Sequence, residues 1–287
     1  MKKILGLVCA AAVAVSCAFA FTGCGSAEVE YKISEDGTYY ILSGVSGNTS
    51  ALKECVIASS YDDGEHGELP VTQIGDDAFM GCSSLSEVSI PDSITHIGTR
   101  AFAYTRIREI DLPESLTYIG PAAFGACKTL QSIVIPSSVT TIGPNAFAFC
   151  SALKSATVNA QITTLYYSTF EGVFAQTEVD VYSSSVLSTV SLPASLEKID
   201  ISALRYNPIE DIYFAGTIEQ WEAIKFIYYT SQPSEEDENE QEVVEVALSK
   251  DEVASYIDNY LFSASVTVHC SDGSLEYIDG EVTKSHD

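Results

Sequence analysis

Leu116-Thr-Tyr-Ile119-Gly120-Pro-Ala-Ala123-Phe124-Gly-Ala-Cys127-Lys-Thr-Leu130-Gln-Ser-Ile133-Val-Ile135-Pro136 is the stretch whose reading decides the fold. Its pattern of apolar residues, Gly, Ala-Phe, Cys and Pro begins again at Val71, Ile94 and Val139. The pairs Ile74-Gly75, Ile97-Gly98, Ile119-Gly120 and Ile142-Gly143 recur at a near-constant interval, and Phe79, Phe102, Phe124 and Phe147 keep the same interval. It falls in the range of about 20 to 29 residues that marks a solenoid of the leucine-rich repeat class.

The copy predicts one turn of a coil. Ile133-Val134-Ile135 alternates in, out, in, as a half-buried strand does. Pro136 ends it, having no N–H for the ladder. Val139 and Ile142 return along the other side, and Gly143 suits a sharp backbone turn. Ala146-Phe147 is read as the start of a short helical turn whose ring fills the coil. No coil buries these residues alone; stacked coils bury them against each other. A fifth copy keeps Ile162, Leu165 and Phe170, but its strand, Leu187 to Pro193, arrives late. The stretch from Phe170 to Leu187 is far longer than its counterpart from Phe147 to Leu153, so a segment is inserted, and Glu171 to Val186 is expected to project. A sixth copy runs through Leu196, Ile199, Ala203-Leu204, Ile209, Ile212 and Phe214.

The consensus Ile-Gly-x-x-Ala-Phe-x-x-Cys-x-x-Leu-x-x-Ile-x-Ile-Pro resembles the BspA-type leucine-rich repeat of bacterial surface proteins. The resemblance covers Val71 to Thr217, with Thr105 in place of the second Cys and Leu204 in place of the sixth Phe. It implies a curved right-handed solenoid of the α/β class, short strands alternating with short helices, and a role in adhesion or host-protein binding. Phe214 to Ile224, with Trp221, is similar to a segment that closes such arrays.

The rest of the chain is read around this array, residues 71–215. Lys2-Lys3 and the apolar run Ile4 to Phe21 form an export signal over residues 1–23. Phe21-Thr22-Gly23-Cys24 resembles a bacterial lipoprotein box, which implies lipid on Cys24 and display on the outer face of a bacterial membrane. Ala18-Phe19-Ala20 offers ordinary cleavage and secretion instead. Residues 24–30 read as a polar tether. Residues 31–70 read as an N-terminal β cap, with a hairpin around Glu35-Asp36-Gly37 and a strand from Glu54 to Ala58. Residues 216–287 read as an α+β cap. It holds a capped helix from Thr217, a solvated acidic loop over 231–242, a second helix from Ser249 to Leu261 and a final hairpin around Ser271-Asp272-Gly273 that is expected to extend the sheet and close the far end.

The 287 residues carry 14 Lys and Arg against 40 Asp and Glu, a formal charge of −26. That excludes a basic nucleic-acid surface and disfavours docking on anionic lipid headgroups. Of eight cysteines, Cys9 and Cys17 belong to the signal. Cys82, Cys127 and Cys150 share one repeat position and read as a buried ladder of free thiols. Cys127 and Cys150, on adjacent coils, are close enough in the array for a bond as the other reading. Cys55 and Cys270 fall in opposite caps. No Cys or His spacing fits zinc, no cofactor motif appears, and Asp62, Asp63 and Glu65 lack the spacing of an EF-hand loop.

Alternation names the residues facing out of the sheet expected to be concave: Glu87 and Ser89, Glu109 and Asp111, Ser132 and Val134, Ser155 and Thr157, Thr189 and Ser191, Asp211 and Tyr213. With strands ~4.8 Å apart, six rungs make a flat, polar face on the order of 24 Å wide. It suits an extracellular protein or glycan ligand; a passive scaffold surface or spacer is the plainer reading. Glu87, Glu109 and Asp111 on adjacent rungs fall within the ~5 to 10 Å that separates glycosidase carboxylates, which gives a secreted glycan hydrolase as the alternative. Against catalysis, an open sheet has no pocket to raise a pKa. His66, His96, His269 and His286 have no metalloprotease or nucleophile-elbow partners.

Overall fold

The computed structural model describes residues 27–172, 174–176, 181–183, 185–233, 241–249, 252, 265–278 and 281–285. The export signal, Cys24 and most of the second cap helix lie outside them. Of that helix, Ser249 and Glu252 are described and bond reciprocally, Ser249 N–H to Glu252 Oε2 at 2.8 Å and Glu252 N–H to Ser249 Oγ at 3.4 Å.

Six coils stack on one another, with their strands parallel wherever neighbouring coils pair. A return sheet carries Leu69–Ile74, His96–Ile97, Tyr118–Ile119 and Thr141–Ile142, and a front sheet carries Ser132–Ile135, Ser155–Val158, Thr189–Leu192 and Asp211–Phe214. Between them lies the apolar core, with Ile97, Ile107, Leu116, Ile119, Leu130 and Ile135 fully buried.

The third side of each coil forms overlapping turns in place of the short helices the repeat suggested. Two positions in each of the first four coils lie in the left-handed region: Asp77, Arg100, Ala122 and Asn145 at φ 52 to 59°, and Gly81, Tyr104, Ala126 and Phe149 at φ 56 to 74°; coils five and six keep one each, Ser168 and Tyr206. A right-handed helix cannot run through such residues. The hydrogen bonds alternate instead. The N–H groups of Asp77, Phe79 and Gly81 reach forward to carbonyls of Thr99, Ala101 and Ala103 in the next coil, at 2.8, 2.7 and 2.9 Å. Those of Met80 and Cys82 close local turns onto Asp77 and Phe79.

This ladder sets Phe79, Phe102, Phe124, Phe147 and Phe170 in one column. Their rings are parallel within 13°, with centroids 5.2 to 5.3 Å apart, and all are buried. The repeat glycines serve the same pitch. A Cβ on Gly120 would meet Gly98 C at 2.7 Å and Thr99 N at 2.8 Å, and one on Gly143 would meet Pro121 N at 2.5 Å. Close approach of the preceding backbone, rather than the bend expected at Gly143, is therefore what requires glycine. Tyr166 takes this place in coil five, and there the return sheet parts: Thr164–Leu165 pairs with Lys198–Asp200 in a separate four-stranded sheet.

The ends of the array differ from the expectations in several places. Ala27–Glu30, read as tether, is part of strand Ala27–Ile33, whose alternating exposure matches its pairing with Tyr40–Gly47. Tyr40–Gly47 then joins Leu69–Ile74 in parallel. Glu54–Val56 pairs with Glu87–Ser89. The inserted residues of coil five include a small antiparallel hairpin, Phe174–Gln176 with Val181–Ser183. At its root, buried Glu171 bonds the Arg205 guanidinium.

After coil six, the helix Ile218–Ala223 starts with a complete capping box between Thr217 and Gln220. Its Trp221 is buried edge-on to Phe214. Part of the expected acidic loop is strand: Lys225–Pro233 pairs antiparallel with Gln241–Ala247, so Ser231, Gln232 and Glu242 lie in a ladder. Alternation in Phe226-Ile227-Tyr228 marks that strand, and pairing beside Lys198–Asp200 extends it into the polar run. Residues 234–240 lie outside the described ones. Ser265–Cys270 joins Asp211–Phe214 in parallel and is followed by Gly273–Ile278 and Glu281–Ser285, the last a strand not anticipated.

Two substitutions separate close approach from backbone angle. Gly120→Ala is expected to destabilise the fold by about 3 kcal/mol through overpacking. Gly81→Ala, at φ 74° with open space around its Cβ, is expected to cost about 1 kcal/mol. Truncating the column with Phe124→Ala is expected to cost about 3 to 5 kcal/mol. Urea unfolding checks all three, and equal losses for the two glycines would contradict the packing account.

Candidate functional site

On the front sheet the outward residues stand in two rows. Ser132, Ser155, Thr189 and Asp211 are in register, and so are Val134, Thr157, Ser191 and Tyr213. Their neighbours Ile133, Ala156, Val190 and Ile212 are buried, so the alternation places both rows outward. Val134 and Tyr213 are about half exposed.

The other four candidates stand apart. Glu87 and Ser89 are exposed on a two-stranded piece, where Glu87 lies beside Glu54. Glu109 and Asp111 are exposed on a segment that forms no strand. Coil two is one residue shorter than its neighbours between Phe102 and Ile107. Arg106 N–H accordingly takes the Leu85 carbonyl at 2.9 Å, whereas Gln131 N–H, at the position of Arg108, takes the Arg108 carbonyl. The shift interrupts the ladder at coil two, so the six rungs expected as one continuous face are split.

The sheet extends past coil six through residues the spacing argument missed. Thr267 continues the first row beside Asp211, and His269 continues the second beside Tyr213. The His269 and Tyr213 rings are stacked, with centroids 4.6 Å apart and planes 12° from parallel. His269 Nε2–H donates to Asp211 Oδ1 at 2.8 Å. The sequence placed His269 in a terminal hairpin expected to extend the sheet; its register beside Tyr213, across the intervening residues 215–264, had no local sign.

Next to this cluster lies a shallow groove of about 560 Å³ along the ends of the front strands. Ser191, Asn159 and Gln161 line it with Pro193, Tyr213 and His269, and none of the described residues lining it is Asp or Glu. The carboxylates considered for glycan hydrolysis, Glu87, Glu109 and Asp111, are not part of it.

The repeat cysteines have a role beyond apolar filling. Cys127 and Cys150 are buried free thiols, and each Sγ–H donates to a phenylalanine carbonyl of the preceding coil, Phe102 at 3.1 Å and Phe124 at 3.2 Å. In coil six Asn207 holds this position and donates to the Phe170 carbonyl at 2.6 Å. Hydrogen bonding with Cys127 and burial push the Cys150 thiol well above its ordinary pKa, and burial raises that of Cys82. In the acidic N-terminal loop, Asp63 accepts from the N–H groups of Glu65 and His66, so its carboxylate is taken up locally. Among the described residues no group of three or more His, Cys, Asp or Glu is placed to hold a metal ion.

An array of stacked coils with an outward polar sheet is a leucine-rich repeat architecture, and comparison with known proteins narrows this. The BspA type leucine rich repeat region matches residues 65–177 and 174–232 in six copies. These are more than half of the 287 residues, and the chain belongs to that family. Similar solved structures include a leucine-rich repeat protein of T. pallidum, 26% identical with a TM-score of 0.46, over 60% of this chain and 81% of that one. Another, from Bacteroides capillosus, is 34% identical with a TM-score of 0.39, over 45% of this chain and 91% of that one. No curated protein matches the chain.

Cys82, Cys127 and Cys150 are expected to stay unlabelled by iodoacetamide in the native protein and to react fully in urea. Rapid native labelling at Cys150 would contradict its placement between coils.

Proposed function

We propose that the chain is an exported, non-catalytic binding module. It is anchored by lipid on Cys24 at the outer face of a bacterial membrane, and its front sheet meets an extracellular protein or glycan. The observation that carries this reading is the pair of outward rows running from Ser132 and Val134 to Thr267 and His269. They rest on buried neighbours and carry an exposed Tyr213 backed by His269 on the last rung. Tyrosine combines a large contact area with low conformational entropy, which suits a binding hot spot. The basic start, apolar run and Cys24 of the N-terminus support export and lipidation. Membership of the BspA-type family supports a binding role, and the exposure of Glu87, Glu109 and Asp111 argues against hydrolysis by these carboxylates.

The test offers extracellular-matrix proteins, mucins and glycans to the immobilised, detergent-solubilised full chain. Retention of at least one is expected. It should weaken about tenfold, the scale of one lost hot spot, in Tyr213→Ala. Thr140→Ala, exposed on the return side, should leave it unchanged. If nothing is retained, or both variants behave alike, the reading fails.

A further inference from the structure

Resting on that reading of the front sheet, we propose that the groove beside Tyr213 is a sugar-binding slot for a neutral pyranose, with the Tyr213 ring as its wall. The Tyr213 ring is stacked on that of His269. Its centroid is 4.6 Å from that of His269 on the next rung, close to the ~4.8 Å between strands. Planes stacked at the strand spacing lie across the direction in which the coils pile up. One face of Tyr213 is therefore covered by His269, and the opposite face looks back over the preceding rung.

That rung carries Ser191, in register with Tyr213, and the rung before it carries Thr157. The surface thus steps down from a tall aromatic ring to two small hydroxyl side chains, of which Ser191 lines the groove. Asn159 and Gln161, both exposed, line the groove with Ser191, and Pro193 adds an apolar border. An aromatic face, hydroxyls and two amides match the two sides of a pyranose. Its C–H face packs on a ring, and its hydroxyls both donate and accept, as hydroxyl and amide groups do. The volume of about 560 Å³ falls within the range of small-ligand sites, roughly 300 to 1,000 Å³.

Charge selects among ligands. No Asp or Glu is among the described residues lining the groove, and Asp211 is engaged by His269, so a cation finds no carboxylate there. A chain of net charge −26 repels uronic and sialic acids. Neutral sugars remain. Asp211 and His269 act as positioning residues: the carboxylate fixes the imidazole, and the imidazole backs the ring.

Saturation-transfer NMR on the full chain, with methyl glycosides of glucose, galactose, mannose and N-acetylglucosamine as probes, tests this. At least one neutral glycoside is expected to receive saturation, strongest on the protons of one ring face. Tyr213→Ala should weaken it about tenfold, Tyr213→Phe should retain it, and Ser191→Trp, which fills the step, should abolish it. Circular dichroism confirms that these surface variants fold. No transfer to any probe, or transfer indifferent to Tyr213→Ala, overturns the proposal. A glycoprotein retained equally before and after enzymatic removal of its glycans also overturns the sugar slot and leaves the broader binding reading intact. Retention of neither form removes both.

Discussion

Successive coils must sit about 5 Å apart, and nearly every recurring feature of the repeat serves that single distance. Backbone ladders impose ~4.8 Å on both sheets. The phenylalanine rings, at 5.2 to 5.3 Å, follow it with their faces parallel and offset. Each ring gains from burial and from its neighbours, at about 0.5 to 1.5 kcal/mol per stacked pair. The column is therefore a cooperative element: no ring is buried without the coils on either side. Ala101, Ala123 and Ala146, directly before the rings, are fully buried. Their carbonyls receive the N–H of the phenylalanine one coil earlier, at 2.7 to 2.8 Å.

The same distance explains where regularity ends. Tyr166 and Asp200 stand where glycine let the earlier coils approach, and Leu204 closes the ring column. In this irregular half the fold substitutes local polar contacts. Asp200, buried, accepts from Ser202 N–H at 2.8 Å. Asn207 replaces the thiol as donor to a phenylalanine carbonyl. Both ends of the array are incomplete coils. Tyr40–Gly47 and Glu54–Val56 supply one strand to each side before coil one. Lys225–Pro233 and Ser265–Cys270 do so after coil six. Each apolar end is covered by a rung of the same geometry, so the C-terminal segment contributes His269 to the exposed surface as well as closing the core.

How much of this was legible depends on the range of the interaction. The repeat, the buried phenylalanines and the outward residues follow from the repeat interval and from strand alternation, which the sequence displays directly. The glycine reads as a bend because its neighbour in the preceding coil is a full repeat away, and only the stacked structure brings the two backbones together. The Ala-Phe turn reads as helical because left-handed positions occupied by Arg100, Tyr104 or Phe149 leave no mark in composition. The break at coil two was countable in the short interval from Phe102 to Ile107, yet its effect on Glu109 and Asp111 depends on hydrogen-bond register. The pairing of Tyr213 with His269, distant in the chain, is set by strand order alone.

The split of the front sheet gives its two parts different chemistry. At the first end Glu54 and Glu87 lie side by side in register and exposed, an arrangement that like charges disfavour and only water makes tolerable. From coil three onward the outward rows are Ser, Thr and Val until Asp211, whose carboxylate is engaged by His269. An uncharged ligand loses less on leaving water than an ion does and needs shape and matched hydrogen bonds in return. The second part can supply both, through a ring held rigid from behind and hydroxyls held rigid by the ladder. The acidic part repels anions. Charged and uncharged outward surfaces thus fall at opposite ends of one array, divided where a single missing residue breaks the strand ladder.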